Sequence, residues 1–110
     1  MKRVYLGEFE ELVLITVASL QDEAYGVSIM NEITSQTGRN ANISAIHEAL
    51  RRLDAKGFVK SKMGGATAQR GGRRKRLFVL TASGRKIVDQ TIELRVQLYN
   101  RVPGYSLKLS

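Results

Sequence analysis

The sequence predicts a mainly helical fold that contains one small β-hairpin. Four segments carry apolar residues at helical spacing, and two short strand-like runs lie between the third and the fourth of them. Proline occurs once, at position 103, and glycines gather at a few points, so the elements are long and their ends are clear. The 110 residues suffice for one domain with a single core.

The first two helices are predicted at residues 8–20 and 24–38. The first is apolar over more than one stripe, which suggests contact with a second layer or a second subunit. The second has one stripe and ends at Gly38, where a left-handed C-cap is expected. Gly26 falls in its first turn, where glycine is unfavourable for a helix, so we expect another backbone to approach closely there.

A third helix is predicted from about residue 45 to residue 56. Ser44 or Asn42 would cap its start, and Gly57 would end it. Its apolar residues recur at i, i+3, i+4 and i+7, so they face the core. These predicted core residues are Ile46, Ala49, Leu50 and Leu53. The residues predicted on the opposite face are Ala45, His47, Glu48, Arg51, Arg52 and Lys56.

Two strands, at residues 58–63 and 76–80, are predicted to form the hairpin, joined by a glycine-rich basic loop. In the first strand Val59, Ser61 and Met63 alternate with residues of the other face. A fourth helix would begin at the N-cap Thr81 and run to about Val102 with two adjacent apolar stripes. We therefore assign residues 1–81 to the first domain, 82–103 to a dimerisation helix of the same compact unit, and 104–110 to a flexible tail.

The charge of the chain is concentrated in one part of it. Residues 51–86 contain twelve basic residues and one acid, whereas residues 4–50 contain seven acids and one basic residue. Such clustering is typical of a protein that binds a polyanion. There is no cysteine and only one histidine, so disulfides, thiolate metal sites and His-rich metal sites are excluded, and we expect no metal, cofactor or catalytic site.

The apolar run from Leu12 to Leu20 does not predict a membrane segment. It is far shorter than the roughly 20 residues that a membrane-spanning helix needs. No convincing cleavage site follows it, so it also differs from a signal peptide. We therefore expect a cytoplasmic protein that associates with the nucleoid and not with a membrane.

Three helices followed by a hairpin are the element order of a winged helix-turn-helix. The third helix would enter the major groove of double-stranded DNA, and the hairpin loop, or wing, would contact phosphates. Residues near the start of the third helix would meet base edges, and those further on would favour the backbone. The predicted base-edge residues are Ser44, Ala45, His47 and Glu48, and the predicted backbone residues are Arg51, Arg52 and Lys56. The predicted wing residues are Arg70, Arg73, Arg74, Lys75 and Arg76.

Other functions remain open from these residues alone. The basic patch would suit an RNA-binding or ribosome-associated protein, although only Phe58 and Phe78 offer aromatic rings in the hairpin. A winged-helix protein–protein adaptor or a merely solvated basic hairpin is a further alternative. A nucleotide-phosphate loop is disfavoured because no Gly-Lys-Ser/Thr pattern is present. An enzyme is least expected, because the acids at residues 8, 10 and 11 suit the positive end of a helix.

Four segments together resemble the PadR-like transcriptional regulators, which are bacterial winged-helix dimers of the phenolic-acid-repressor type. The segments read LVLITVASL, YGVSIMNEI, ISAIHEALRRLDAKGFVKSK and GGRRKRLFVLTASGRK. The resemblance runs from Gly7 to about Val102 and is most specific in its order and spacing. It implies a homodimeric repressor that occupies an inverted-repeat operator and leaves it when a small-molecule effector or a partner is sensed. It also implies that Tyr25 and Gly26 pack the second helix against its neighbours.

Two departures from the family bear on the site. His47 stands where the family usually has a tyrosine, so an imidazole could serve there as a base contact, a phosphate contact, a pH switch or an ordinary exposed side chain. Many members have several C-terminal helices for dimerisation, whereas this chain has one. The surplus apolar surface of the first and last helices predicts the dimer contacts. They are Phe9, Leu12, Val13, Leu94, Leu98 and Tyr99.

Overall fold

The structure, a computed structural model, describes residues 6–64 and 75–104. These residues form four α-helices, one short 3₁₀ turn and one antiparallel hairpin, which confirms the predicted fold class. The helices are α1 (Glu8–Leu20), α2 (Gly26–Thr37), α3 (Ile43–Ala55) and α4 (Ala82–Tyr99). The strands are β1 (Val59–Met63) and β2 (Arg76–Leu80), and the 3₁₀ turn is Gln21–Glu23. None of the helices in the described ranges is long and apolar enough to cross a membrane.

The start of α2 lies two residues later than predicted, because the chain before it pairs with the hairpin. Phe78 N donates to the Ala24 carbonyl oxygen at 2.8 Å, and Tyr25 forms a β-bridge with Leu77. The end of α2 is as predicted. Gly38 has a φ of 70°, and its N–H donates to the Thr34 carbonyl oxygen at 2.9 Å.

The start of α3 is set by Asn42, one of the two predicted caps. Its Oδ1 accepts a hydrogen bond from Ala45 N at 2.8 Å, so the helix begins before the predicted residue and Ser44 lies inside its first turn. Gly57 follows the helix with a φ of 81°, a conformation that a Cβ would disfavour, and it ends the helix as predicted.

The core lies between α1 and the other elements, since α1 packs on α2, α3, β2 and α4. Its two apolar stripes are therefore used largely within one chain. Val13 and Leu14 have no exposed surface. In β1 only Val59 is buried, and the adjacent Phe58 is also buried, so the alternation predicted for this strand does not mark an inner and an outer face.

A tight joint connects the hairpin to α4. Thr81 Oγ1 accepts a hydrogen bond from Gly84 N at 3.0 Å, which confirms the predicted cap, and the same hydroxyl donates to the Gly57 carbonyl oxygen at 2.6 Å. A Cβ at Gly84 would overlap the Phe58 carbonyl oxygen, so only glycine fits there. At its far end α4 stops at Tyr99, and turns continue to residue 104. Most of the predicted tail lies outside the described residues.

Candidate nucleic-acid interface

The exposed face of α3 is defined by the stripe that the helix buries. Its four predicted core residues are all at most 4% exposed, so the predicted inner face is confirmed. At about 100° per residue, a ridge of four side chains lies within about 30° of the opposite direction. The ridge consists of Ser44, Glu48, Arg51 and Ala55. These are the side chains of α3 that point furthest from the core.

Glu48 joins the two arginines of this helix. Arg51 Nη2 donates to Glu48 Oε1 at 2.6 Å and Arg51 Nε donates to Oε2 at 3.2 Å, so both carboxylate oxygens bind one edge of the guanidinium. Arg52 Nε donates to Oε1 at 3.2 Å. The hydrogen bond from Arg51 lowers the pKa of Glu48, and the carboxylate in turn raises the pKa of Arg51. The Arg51 side chain is still 68% exposed, so the rest of its guanidinium faces solvent.

Lys56, just after α3, turns toward α1 instead of the ridge. Its Nζ donates to Glu10 Oε1 at 2.6 Å, and Arg52 Nη1 lies 3.9 Å from Glu10 Oε2. Glu10 is only 8% exposed, and the hydrogen bond from Lys56 holds its pKa below the ordinary 4.5. The ammonium of Lys56 thus already has a carboxylate partner. The predicted contact between Lys56 and DNA stays a prediction.

The acids in the first turn of α1 hold basic residues from three other parts of the chain. Glu8 Oε2 accepts a hydrogen bond from Arg39 Nη1 at 2.8 Å, which lowers the pKa of Glu8. Glu11 accepts two hydrogen bonds from Arg95 of α4, at 2.9 and 3.0 Å. Together with the pair at Glu10, these bonds connect α1 to the α2–α3 turn, to α3 and to α4. The sequence-based explanation from the helix end was therefore incomplete.

His47 lies on a flank of the ridge, against the first turn of α2. A Cβ at Gly26 would lie 2.9 Å from His47 Cε1 and 3.3 Å from Ile43 Cδ1. The atoms that approach Gly26 closely belong to side chains, so the prediction of a neighbouring backbone is wrong. His47 remains exposed. Of the other predicted base-edge residues, Ser44 is exposed and Ala45 is half-buried, with its N–H bound to the cap.

The hairpin, which follows α3 in the sequence, also carries basic side chains. Lys60 pairs in register with Val79 and Lys62 with Leu77, so both lysines lie on one face of the strand pair, and both are exposed. Lys75 Nζ lies 3.9 Å from the centroid of the Tyr25 ring, a cation–π contact that ties the wing to the start of α2. Arg76 is exposed. The predicted wing residues Arg70, Arg73 and Arg74 lie outside the described residues.

The chemistry of this surface is that of hydrogen-bond donors and positive charge. Guanidinium and ammonium groups bind phosphates and the acceptor atoms of base edges. Within residues 6–64 and 75–104, no group of three or more acidic, histidine or cysteine side chains is arranged to hold a metal ion.

A family model decides the identity. The model of the transcriptional regulator PadR-like family matches residues 14–90, which include α3, both strands and the start of α4. The chain belongs to this family. The resemblance found in the sequence is thereby confirmed, and this PadR-like protein is a DNA-binding transcriptional regulator and not an enzyme. No curated protein sequence gives a significant match to it.

Solved structures show the same fold. A transcriptional regulator from Streptococcus superposes with a TM-score of 0.69 at 19% identity, covering 87% of this chain and 89% of its own. A PadR-like transcriptional regulator from Bacillus cereus has a TM-score of 0.68 at 12% identity, with 88% and 93% covered. A PadR family regulator from Clostridium difficile has a TM-score of 0.63 at 21% identity, with 86% and 93% covered.

The residues predicted to form the dimer of this PadR-like regulator fall into three groups. Leu94, Leu98 and Tyr99 of α4 are 48%, 59% and 42% exposed, and their place in a dimer stays a prediction. Phe9 and Leu12 are half-buried against the core of their own chain. Val13 has no exposed surface, so its prediction as a dimer contact is wrong. The sequence shows that α1 has two apolar stripes, but it does not show which of them packs in the core of the protomer.

Three exposed residues that the sequence analysis did not single out lie on the same surfaces as the predicted interface residues. Ala55 lies on the ridge of α3, and the register of the strands places Lys60 and Lys62 together on an exposed face. The sequence could have placed the two lysines together, because residues two apart in a predicted strand share a face. The helical period could have placed Ala55 opposite the buried stripe of α3.

Proposed function

We propose that the protein is a repressor that binds an inverted-repeat operator as a homodimer, with α3 of each copy in the major groove. The observation that carries this proposal is the outward ridge of α3, whose polar side chains lie opposite a fully buried apolar stripe. A helix with its side chains is about 10–12 Å across, and the major groove is about 12 Å wide. Ser44 and His47 lie in the first two turns and are exposed, and base edges are read from this part of the helix in related architectures.

The hairpin supplies the contacts that do not depend on sequence. Lys60, Lys62 and Arg76 are exposed, and we assign them to DNA phosphates. The basic residues of the wing loop have the same role in this proposal. Each phosphate that a cation neutralises releases counterions, so the hairpin contributes affinity for any duplex.

The homodimer is supported by the outer half of α4. Leu94 and Leu98 lie four residues apart on α4 and are 48% and 59% exposed. Tyr99 at the end of the helix is 42% exposed, and Val102 in the turns that follow is 44% exposed. Monomers rarely leave such a group of large apolar side chains open to water, so a second copy of α4 is the partner that we infer. A twofold dimer presents its two α3 helices to an inverted repeat. We infer repression because it is the role that the family resemblance implies.

The effector that the family resemblance implies is a further part of the proposal. A cavity of about 190 Å³ between α1, β2 and α4 is lined by Val17, Val79 and Arg85, among others. Ligand pockets usually have about 300–1,000 Å³. We therefore propose that an effector binds where the second copy enlarges a cavity, and not within one protomer.

The RNA alternative is weakened by the packing of the hairpin. Phe58 and Phe78, the two rings that could stack on bases, are each only 7% exposed. Stacking of unpaired bases requires exposed aromatic faces, so these residues cannot provide the platform that sequence-specific RNA recognition uses.

The test is a selection from randomised DNA duplexes, followed by sedimentation of the protein with the enriched duplex. We expect a palindromic motif bound by two chains, and no comparable binding to structured RNA. Leu94→Glu combined with Leu98→Glu should give a monomer that loses the preference for the palindrome. Gln97→Glu combined with Gln90→Glu, on exposed positions of the same helix, is the charge-matched control. A monomer at micromolar concentration with full affinity for the palindrome would contradict the proposal.

A further inference from the structure

Glu48 and Arg51 form one unit on the ridge of α3. The carboxylate takes the Nε and Nη2 hydrogens on one edge of the guanidinium, at 3.2 and 2.6 Å. A guanidinium presents its donors as a rigid planar fork, so a contact on one edge fixes the plane of the whole group. Both hydrogen bonds of Arg51 to Glu48 are on this edge, which leaves the end formed by Nη1 and the second Nη2 hydrogen outside them, and the Arg51 side chain as a whole is 68% exposed.

Folding stability does not account for this arrangement. The Arg51 and Glu48 side chains are 68% and 45% exposed, and an ion pair that water reaches to this extent contributes little to stability. A carboxylate on the ridge of a DNA-binding helix also repels phosphates, which lowers the affinity of that helix for any duplex. The position of Glu48 is explained if the carboxylate improves discrimination between sequences rather than affinity.

We propose that Glu48 is a positioning residue for Arg51, and that Arg51, held in this way, reads a guanine in the major groove of each half-site. This inference rests on the proposed operator binding. The free end of the guanidinium matches the O6 and N7 acceptors of guanine, the base that arginine reads with two hydrogen bonds. Because Glu48 already holds the side chain, less conformational freedom is lost when the base contact forms.

The neighbouring Arg52 has a different position. It lies about 70° from the centre of the ridge at 100° per residue, and its Nη1 is directed toward Glu10, 3.9 Å from Oε2. Its only contact with Glu48 is through Nε, so its fork is not held along one edge. Arg52 is therefore placed for the phosphate backbone, and the guanine contact belongs to Arg51.

The experiment compares the motifs that the wild-type protein and three variants select from randomised duplexes. The variants are Glu48→Gln, Arg51→Lys and the double variant, with Glu93→Gln on α4 as a control that removes one exposed carboxylate elsewhere. Fluorescence anisotropy then measures affinity for the selected duplex, for the duplex with guanine changed to adenine, and for one with 7-deazaguanine, which lacks only the N7 acceptor.

For the wild-type protein we expect a guanine in each half-site, preferred over adenine by on the order of 10-fold or more and weakened by 7-deazaguanine. Both single variants should reduce that preference to within roughly 3-fold, and the double variant should reduce it no further, because Glu48 acts through Arg51. Glu48→Gln should bind random duplex more tightly than the wild-type protein does. The control should retain the guanine preference.

Three results would overturn the inference. A selected motif whose guanine preference survives Glu48→Gln would remove the positioning role. Equal weakening on selected and random duplexes, together with a lower melting temperature, would assign Glu48 to folding. Loss of preference at a cytosine with no response to 7-deazaguanine would show that Glu48 itself contacts a base. If the wild-type protein enriched no motif at all, the proposed operator binding itself would fail, which is a distinguishable outcome.

Discussion

Helix α3 and the hairpin both carry basic side chains, but these side chains differ in whether a carboxylate binds them. Within α3 the two arginines are matched by two acids, and Glu48 binds both arginines directly. Lys56, just after the helix, is bound by the nearly buried Glu10. In the hairpin, by contrast, Lys60, Lys62 and Arg76 have no carboxylate partner among the described residues.

This difference separates two contributions to DNA binding. A cation without a partner gains the full benefit of counterion release when it meets a phosphate. A cation that already has a carboxylate must give it up or share it, so it adds less affinity but has a defined position. We infer that the hairpin provides most of the general affinity and that α3 provides discrimination.

The largest effect is expected from removing the free cations of the hairpin. Replacing Lys60, Lys62 and Arg76 together by alanine should weaken operator and random duplex alike, by on the order of 100-fold at physiological salt. The slope of log K against log salt should flatten by up to about 0.9 for each phosphate that the protein no longer neutralises. Titrations at several salt concentrations measure both quantities.

The matched control for this variant is Arg51→Ala combined with Arg52→Ala. If the hairpin provides general affinity and α3 provides discrimination, the α3 variant loses the preference for the operator over random duplex. Its salt slope then changes less than that of the hairpin variant. A larger change of slope in the α3 variant than in the hairpin variant would contradict the division.

A second prediction concerns Glu10, which holds the paired cation after α3. Glu10→Ala leaves Lys56 without its carboxylate in a place that is only partly open to water, so the free energy of unfolding should fall by about 1–3 kcal/mol. The freed ammonium should at the same time steepen the salt dependence of DNA binding. Denaturant unfolding and salt titrations test the two effects, with the exposed pair variant Glu8→Ala as a control that should lose less stability.

The pH dependence of Glu10 has a definite sign. Its pKa in the folded protein is lowered from 4.5, first of all by the hydrogen bond from Lys56. Its contribution is therefore complete above pH 4.5 and is lost as the pH falls through the lower folded value. Unfolding curves between neutral and acid pH should show a smaller loss of stability for Glu10→Ala than for the wild-type protein. Equal losses would assign the acid sensitivity to other carboxylates.

The smallest effect is expected from single lysines, and it compares the two regions directly. Lys60→Gln should weaken random duplex by about 5-fold and reduce the salt slope by about 0.9, because one phosphate is then left without its cation. Lys56→Gln should leave the slope unchanged, because Glu10 already neutralises this lysine. Melting temperatures confirm that both variants are folded, and an equal change of slope in the two would show that Lys56 also meets a phosphate.

Local patterns predicted the parts of the molecule that depend on neighbours in the chain. The buried stripe of α3, the cap at Thr81 and the helix ends at Gly38 and Gly57 follow from helical period, from short-range hydrogen bonds and from glycine's access to positive φ. The start of α2 did not, because Ala24 is taken into the hairpin by a hydrogen bond to a residue far along the chain.

Long-range electrostatic partners were beyond the reach of the sequence. The hydrogen bond from Lys56 to Glu10 spans 46 positions, and the one from Arg95 to Glu11 spans 84. A charge pattern indicates the sign of a surface, but it does not say which residues the tertiary fold brings within reach. The same limit applies to Val13, whose burial depends on which stripe of α1 the other helices cover.

The joint between the hairpin and α4 has a consequence for the spacing of the operator. Thr81 is bonded to Gly57 at the end of α3, and Gly84 leaves no room between α4 and the Phe58 carbonyl. If α4 sets the twofold axis, this rigid joint fixes the distance between the two α3 helices of the dimer. One base pair inserted between the half-sites rotates one of them by about a tenth of a DNA turn. The tightly packed joint does not allow the α3 helix of that copy to follow this rotation. The regulator should therefore tolerate changes of base sequence in the spacer far better than changes of its length.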